Sequence, residues 1–263
     1  MKTIGLIGGL SWESTAVYYR LINQRVRAER GGLSSASLLL HSFDFDEIVR
    51  LQQADAWTEA AERLSDAARG LCASGARCVA ICTNTMHKVA PEVMAAIPVD
   101  AKLLHIGDAA GEAICAAGIR RVGLLGTRYT MIQPFLSAYL TDNYGLEVVV
   151  PKAADREIVH EIIFGELCRG VVLPESREAL VDVARRLRDD QGAEGVILGC
   201  TELMLAAGEE TGEFPLLRFD TTALHAQAIA DYALHSPVIK DICNIESATS
   251  RPLANSTRTL ATI

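Results

Sequence analysis

The sequence is poor in the features that mark several protein classes. No run of 18 apolar residues occurs, and the opening MKTIGLIGG breaks at Gly8-Gly9 before it reaches the length of a signal-peptide core. No membrane partner is expected, and the chain reads as cytoplasmic. Aromatic residues make up only 5%, and 25 Lys+Arg face 33 Asp+Glu for a formal charge of −8. Without a basic stripe, nucleic acid is not an expected partner. The seven cysteines are odd in number and none are spaced CxxC, which argues against a disulfide framework and against a zinc site. The first glycine turn, GLIGGLSWE, lacks the G-x-G-x-x-G of a dinucleotide fold, and no GxxxxGK[ST] occurs, so nucleotide is not expected either.

What remains is a chain of 263 residues, 49% apolar and 22% charged, long enough for one large core or two domains. Short apolar runs at 3–8, 37–41, 78–83, 102–105, 121–127, 147–151 and 195–200 read as buried strands. Amphipathic stretches lie between them. Tyr18, Leu21, Ile22 and Val26 share one helical face, with Ser11 placed to cap its start, and Trp57, Ala60, Ala61, Leu64, Ala67, Ala68 and Leu71 form a second stripe. Leu180, Val183, Ala184 and Leu187 form a third. Alternating β and α with near-continuous apolar strands predicts an α/β protein whose parallel sheets are covered on both faces.

The pattern repeats. Ile4-Gly-Leu-Ile-Gly-Gly9 is echoed by Val122-Gly-Leu-Leu-Gly-Thr127, and Thr83-Asn84-Thr85 is echoed at nearly equal offset by Cys200-Thr201-Glu202. Two similar Rossmann-like domains with an active-site cleft between them are expected. The first would comprise 1–105 plus 222–235 and the second 106–221. The stretch 236–263 reads as a poorly ordered tail without catalytic role, a short docking helix at 238–245 being the alternative.

Both strand-end motifs, ICTNTMH and LGCTEL, stand where open α/β sheets bind ligands. Backbone amides and Asn or Thr side chains there can hold a carboxylate. If the domains face each other, Thr83 and Cys200 enter the cleft from opposite sides. Two proton-transfer groups flanking one carbon are what a racemase needs. A thiol suits abstraction, and a helix N-terminus can lower the cost of forming its thiolate.

GLIGGLSWEST, YYRLIN, CTNTMH, LLGTRYTM, GCTE and FDTTALH, in this order across residues 2–234, resemble the aspartate/glutamate racemase family, most closely its L-aspartate/glutamate-specific branch. The resemblance implies two-domain enzymes that work without pyridoxal phosphate or metal, hence no cofactor, and that transfer a proton at the α-carbon of an acidic amino acid. It makes Thr83 and Cys200 the catalytic pair, with Cys200 serving the L-face. Asn84, Thr85 and Thr201 match positions that hold the α-carboxylate and ammonium, and Gln52 matches a ligand-contacting position of the L-specific branch. Leu10 would contribute backbone at the glycine turn, and Thr127 is its counterpart in the second domain. Glu202 would orient the ammonium or tune the thiol, or simply sit at a helix start where acids are favoured. A homodimer is the expected assembly.

Two departures stand out. Most members carry Cys-Asn-Thr where this chain has Thr83-Asn84-Thr85, and strand alternation turns the preceding Cys82 to the other side, which makes it core. Many relatives place near the site a Lys where this chain has Cys168, leaving Arg50 and Arg128 as candidate partners for a distal carboxylate. Two other functions are compatible with these residues. One is a single-cysteine decarboxylase of the same fold, and the other is a catalytically weak binding protein for acidic amino acids.

Overall fold

The computed structural model describes residues 1–207 and 214–235; the tail expectation for 236–263, the docking helix at 238–245 and Cys243 lie outside them. The first half runs β1 (Ile4–Gly8), α1 (Trp12–Arg30), β2 (Leu38–Ser42), α2 (Phe45–Gln53), α3 (Trp57–Ala73), β3 (Cys78–Ile81), a 3₁₀ turn (Thr85–Val89), α4 (Ala90–Ala96) and β4 (Lys102–Leu104). It continues with α5 (Ile106–Ala116), β5 (Arg121–Gly126), α6 (Arg128–Ile132), α7 (Phe135–Tyr144), β6 (Glu147–Val149) and α8 (Ala153–Gly165). A 3₁₀ turn (Leu167–Arg169) leads to α9 (Pro174–Gln191), β7 (Gly195–Gly199), α10 (Leu203–Ala207), β8 (Leu217–Asp220) and α11 (Thr221–His235). Among these described helices, none is long and apolar enough to cross a membrane.

The strands form two parallel four-stranded sheets, ordered β2-β1-β3-β4 and β6-β5-β7-β8. The second order repeats the first, which is the structural form of the sequence echo: β1 corresponds to β5 and β3 to β7. The predicted strands are all present, several shorter by a residue or two. Sequence reading missed β8, a short edge strand with one buried residue of four.

Side-chain alternation divides each sheet's packing between its two faces. In the first sheet Ile7, Val79 and Ile81 face α3 and α4, whereas Leu6, Cys78, Ala80 and Cys82 face α1 and α11. In the second, Leu125, Val196 and Leu198 pack on α8 and α9, and Val122, Leu124 and Ile197 on α5 and α7. Burying both faces is what lets these strands be apolar throughout.

The turn after β1 requires glycine. Gly9 has φ +70°, and a Cβ there would overlap the backbone of Phe43. Gly9→Ala is expected to cost about 3 kcal/mol or more, because both the left-handed backbone and the close approach are lost. A urea midpoint unchanged from wild type would contradict this.

Ser11 differs from expectation. It occupies the N-cap position of α1, but its side chain makes no cap hydrogen bond. The Thr15 amide and hydroxyl both donate to the Ser11 carbonyl, and the Thr15 hydroxyl oxygen accepts from Gly9 N–H at 2.9 Å. The Thr15 hydroxyl thus ties the glycine turn to the start of α1, and Ser11 lines the cleft.

Candidate active site

The carboxyl ends of β1, β3, β5 and β7 converge on one cavity between the two sheets. Thr83, Asn84 and Thr85 reach it from the end of β3, and Cys200, Thr201 and Glu202 from the end of β7. Leu10 lines it from the glycine turn, Gln52 from the end of α2 and Thr127 from the start of α6. Every residue singled out in the sequence as catalytic or substrate-binding therefore lines one cavity. Its volume is about 40 Å³, room for about three waters at roughly 10–15 Å³ each.

The thiol of Cys200 is half-buried and donates to Glu202 Oε2 at 3.0 Å. Burial, then the charge of Glu202, then that hydrogen bond push the thiol pKa well above its usual value, and the Glu202 backbone N–H opposes them. This reverses the expectation of a lowered thiol. The helix that follows, α10, has only five residues, while a carboxylate stands at hydrogen-bond distance. The resting site holds a thiol, and Glu202 is the acceptor its proton faces. Glu202 is itself 6% exposed, and its Oε1 accepts from the Ser14 hydroxyl at 3.4 Å. Ser14 also bonds Thr201 Oγ1 at 2.5 Å, so the first turn of α1 is tied to the loop that carries the thiol.

Across the cavity, Asn84 is oriented by a chain of hydrogen bonds. The Thr221 hydroxyl donates to the Leu198 carbonyl, so its oxygen must accept, and it does so from Asn84 Nδ2, each bond at 2.9 Å. This fixes the amide's orientation. It leaves Oδ1 buried without a hydrogen-bond partner. A buried acceptor of this kind is costly unless a ligand brings a donor. Beside it the hydroxyls of Thr85, Thr127 and Thr130 form a triangle with sides of 3.2–3.3 Å. Gln52, 9% exposed, spends its amide N–H on the sulfur of Met86 at 3.1 Å, a weak acceptor that a carboxylate would displace. Gln52 is thus buried and not on a solvated helix face.

Cys82 is fully buried in the α1–α11 cluster and does not line the cavity. Arg50 and Arg128 do not reach it either. Both lie at the surface, where Arg50 pairs with Asp46 and Arg128 with Glu157, local carboxylates that outcompete a distant site. Among the described lining residues the charged one is Glu202, and none is Lys or Arg. Sequence reading missed Ser14, Phe45, Tyr129, Ile163 and Phe164, which complete the lining. No cluster of three or more His, Cys, Asp or Glu among the described residues is placed to hold a metal ion.

The Asp/Glu/hydantoin racemase family model matches residues 7–229 of this chain, almost the whole of both sheets. The chain belongs to this family. A Yersinia pestis protein assigned to the Asp/Glu racemases is 50% identical, covering 89% of this chain and all of its own, with a TM-score of 0.82. An aspartate racemase homologue from Pyrococcus horikoshii is 35% identical over 89% of this chain and all of its own, with a TM-score of 0.76. The aspartate racemase of Picrophilus torridus shares the fold at 20% identity, covering 89% of this chain and 94% of its own, with a TM-score of 0.65. Membership places this protein in a family of racemase-type enzymes with paired Rossmann-like domains.

Proposed function

We propose that this protein is a cofactor-independent amino-acid racemase that interconverts the enantiomers of aspartate and/or glutamate by proton transfer at the α-carbon, with preference for the L-form. The observation that carries the reading is the placement of Thr83 and Cys200 on the ends of two different sheets, lining one cavity. Asn84 Oδ1 and Glu202 are the acceptors for the substrate ammonium, and the hydroxyls of Thr85 and Thr201 meet the α-carboxylate. The Cys200 proton passes to Glu202, and the nearby ammonium stabilises the thiolate that this leaves. The thiolate then takes the α-proton from the L-face, and the Thr83 hydroxyl delivers a proton to the opposite face and is reprotonated through water by Glu202, which restores the thiol, the hydroxyl and the carboxylate. Among the described residues that hydroxyl has no hydrogen-bond partner, which leaves it available to substrate or water.

A distal carboxylate meets neutral donors in this cleft, chiefly the Gln52 amide. An amino acid is larger than this cavity, so the two halves, taken as 1–105 plus 222–235 and 106–221, separate to admit it. A cytoplasmic homodimer completes the reading. The single-cysteine decarboxylase alternative is weaker, because a malonate offers Asn84 Oδ1 no ammonium donor.

The asymmetry of the pair gives a direct test. A Thr hydroxyl is a far weaker acid than a thiol, so it is the poorer standing base. In D₂O without added cofactor, the α-proton of L-Asp or L-Glu should exchange much faster than that of the D-form, and chiral chromatography should show conversion. Equal exchange rates would defeat the assignment of faces. Absence of both exchange and conversion would defeat the racemase reading, and binding without exchange would favour a binding protein.

A further inference from the structure

The connection from β4 to α5 is a short crossing between the two sheets, and two buried histidines grip it from either side. His225 Nε2–H donates to the Leu104 carbonyl at 2.8 Å, and its Nδ1 accepts from the Tyr18 hydroxyl at 2.9 Å. His87 Nε2 accepts from Ile106 N–H at 3.1 Å, so its proton sits on Nδ1, which donates to the Thr83 carbonyl at 2.7 Å. Both rings are buried, at 0% and 2% exposure. Each bond fixes the tautomer needed for the other, and His87 joins this crossing to the Thr83 turn.

We propose that His87 is a positioning residue that sets the Thr83 peptide against the β4–α5 connection and thereby controls proton delivery on the Thr83 face, leaving the Cys200 face untouched. This rests on the racemase reading above. The carbonyl that His87 holds belongs to the Thr83–Asn84 peptide plane, so the bond fixes Thr83 ψ and with it the direction of the Thr83 side chain relative to Cys200. The Cys200 loop has other supports: Ser14 bonds Thr201 and Glu202, and Cys200 bonds Glu202 within the loop. The ring also stays neutral, since burial and the neighbouring His105 and His225 drive its pKa well below 6.5. A second proton on Nε2 would face the Ile106 N–H and break the clasp.

The two bonds can be separated by substitution. Asn places its amide where Nδ1 stands and keeps the Thr83 bond; Gln reaches the Nε2 position and keeps the Ile106 bond. The readout is the partition between α-proton exchange of the L-substrate in D₂O, which needs only Cys200, and L-to-D conversion, which needs Thr83. In His87→Gln, conversion should fall roughly tenfold or more relative to exchange. In His87→Asn the two rates should keep their wild-type ratio within about threefold, whatever the loss of stability. Should His87→Gln fail to fold, His87→Leu, which also lacks the Thr83 donor, should show the same shifted partition. An equal partition in all folded variants, with wild type active in both assays, overturns the role of His87 alone. Wild-type protein inactive in both overturns the racemase reading itself.

Discussion

Replacing Cys200 by Ser is expected to lower both α-proton exchange and racemisation by about 10²–10⁴-fold, the range removed with a general acid–base group. The substitution keeps the size of the side chain and a donor toward Glu202, so the loop held by Ser14 and Thr201 should remain in place. What is lost is acidity. The thiol already lies above its usual pKa because it is buried beside a carboxylate, and a hydroxyl in that place would be deprotonated to a negligible extent. Glu202→Gln should act in the opposite sense on the resting thiol, since it removes the negative charge that holds the proton on sulfur. It should also remove the group that receives this proton, so thiol alkylation by iodoacetamide should quicken while turnover falls. An active Cys200→Ser enzyme would remove Cys200 from the reaction.

The strand and helix pattern was legible because apolar runs and stripes have local periods, and the paired sheets because the echo recurs in order. The cleft residues were legible for a related reason. Thr83-Asn84-Thr85 and Cys200-Thr201-Glu202 follow strands directly, so strand direction alone sends them to the same edge. Ser14 and Phe164 were not, since a helical residue reaches the site only through packing that joins distant parts of the chain. Arg50 and Arg128 were misread because charge was visible and its local partner was not. The direction of the Cys200 shift likewise depends on where the Glu202 side chain points, two residues away. His225 and Leu104 stand far apart in sequence, and nothing local announces that they meet.

The same histidines make the fold acid-sensitive. His105 and His225 are held neutral down to about pH 4, mainly by burial, and His87 is likewise lowered well below its usual value by burial and by its two neighbours. The groups facing them offer little relief. Asp108 raises the pKa of His105 and of His225, but burial outweighs it; Tyr18 donates to His225, and Tyr139 stacks on His105 at 3.8 Å. In the unfolded chain each imidazole titrates near 6.5, so below that pH the unfolded state binds more protons and stability must fall. The full contribution is present above about pH 6.5 and is lost progressively as pH drops toward 4, at about 1.4 kcal/mol per pH unit for each histidine. At pH 5 His105 and His225 alone amount to roughly 4 kcal/mol, a large part of the whole stability of many domains, and His87 acts in the same direction. Asp220, whose carboxyl is raised by burial, opposes this as one group. The urea midpoint should therefore collapse between pH 6.5 and 5. His105→Asn is the informative variant: an Asn side chain can accept from Gly107 N–H as the His105 Nδ1 does at 3.0 Å, which keeps the cap of α5 while removing one titrating group. Its stability should fall less steeply with pH than wild type, by up to about 1.4 kcal/mol per pH unit between pH 6.5 and 5. A urea midpoint that stays level from pH 7.5 to 5 would mean that the clasp does not hold its histidines neutral.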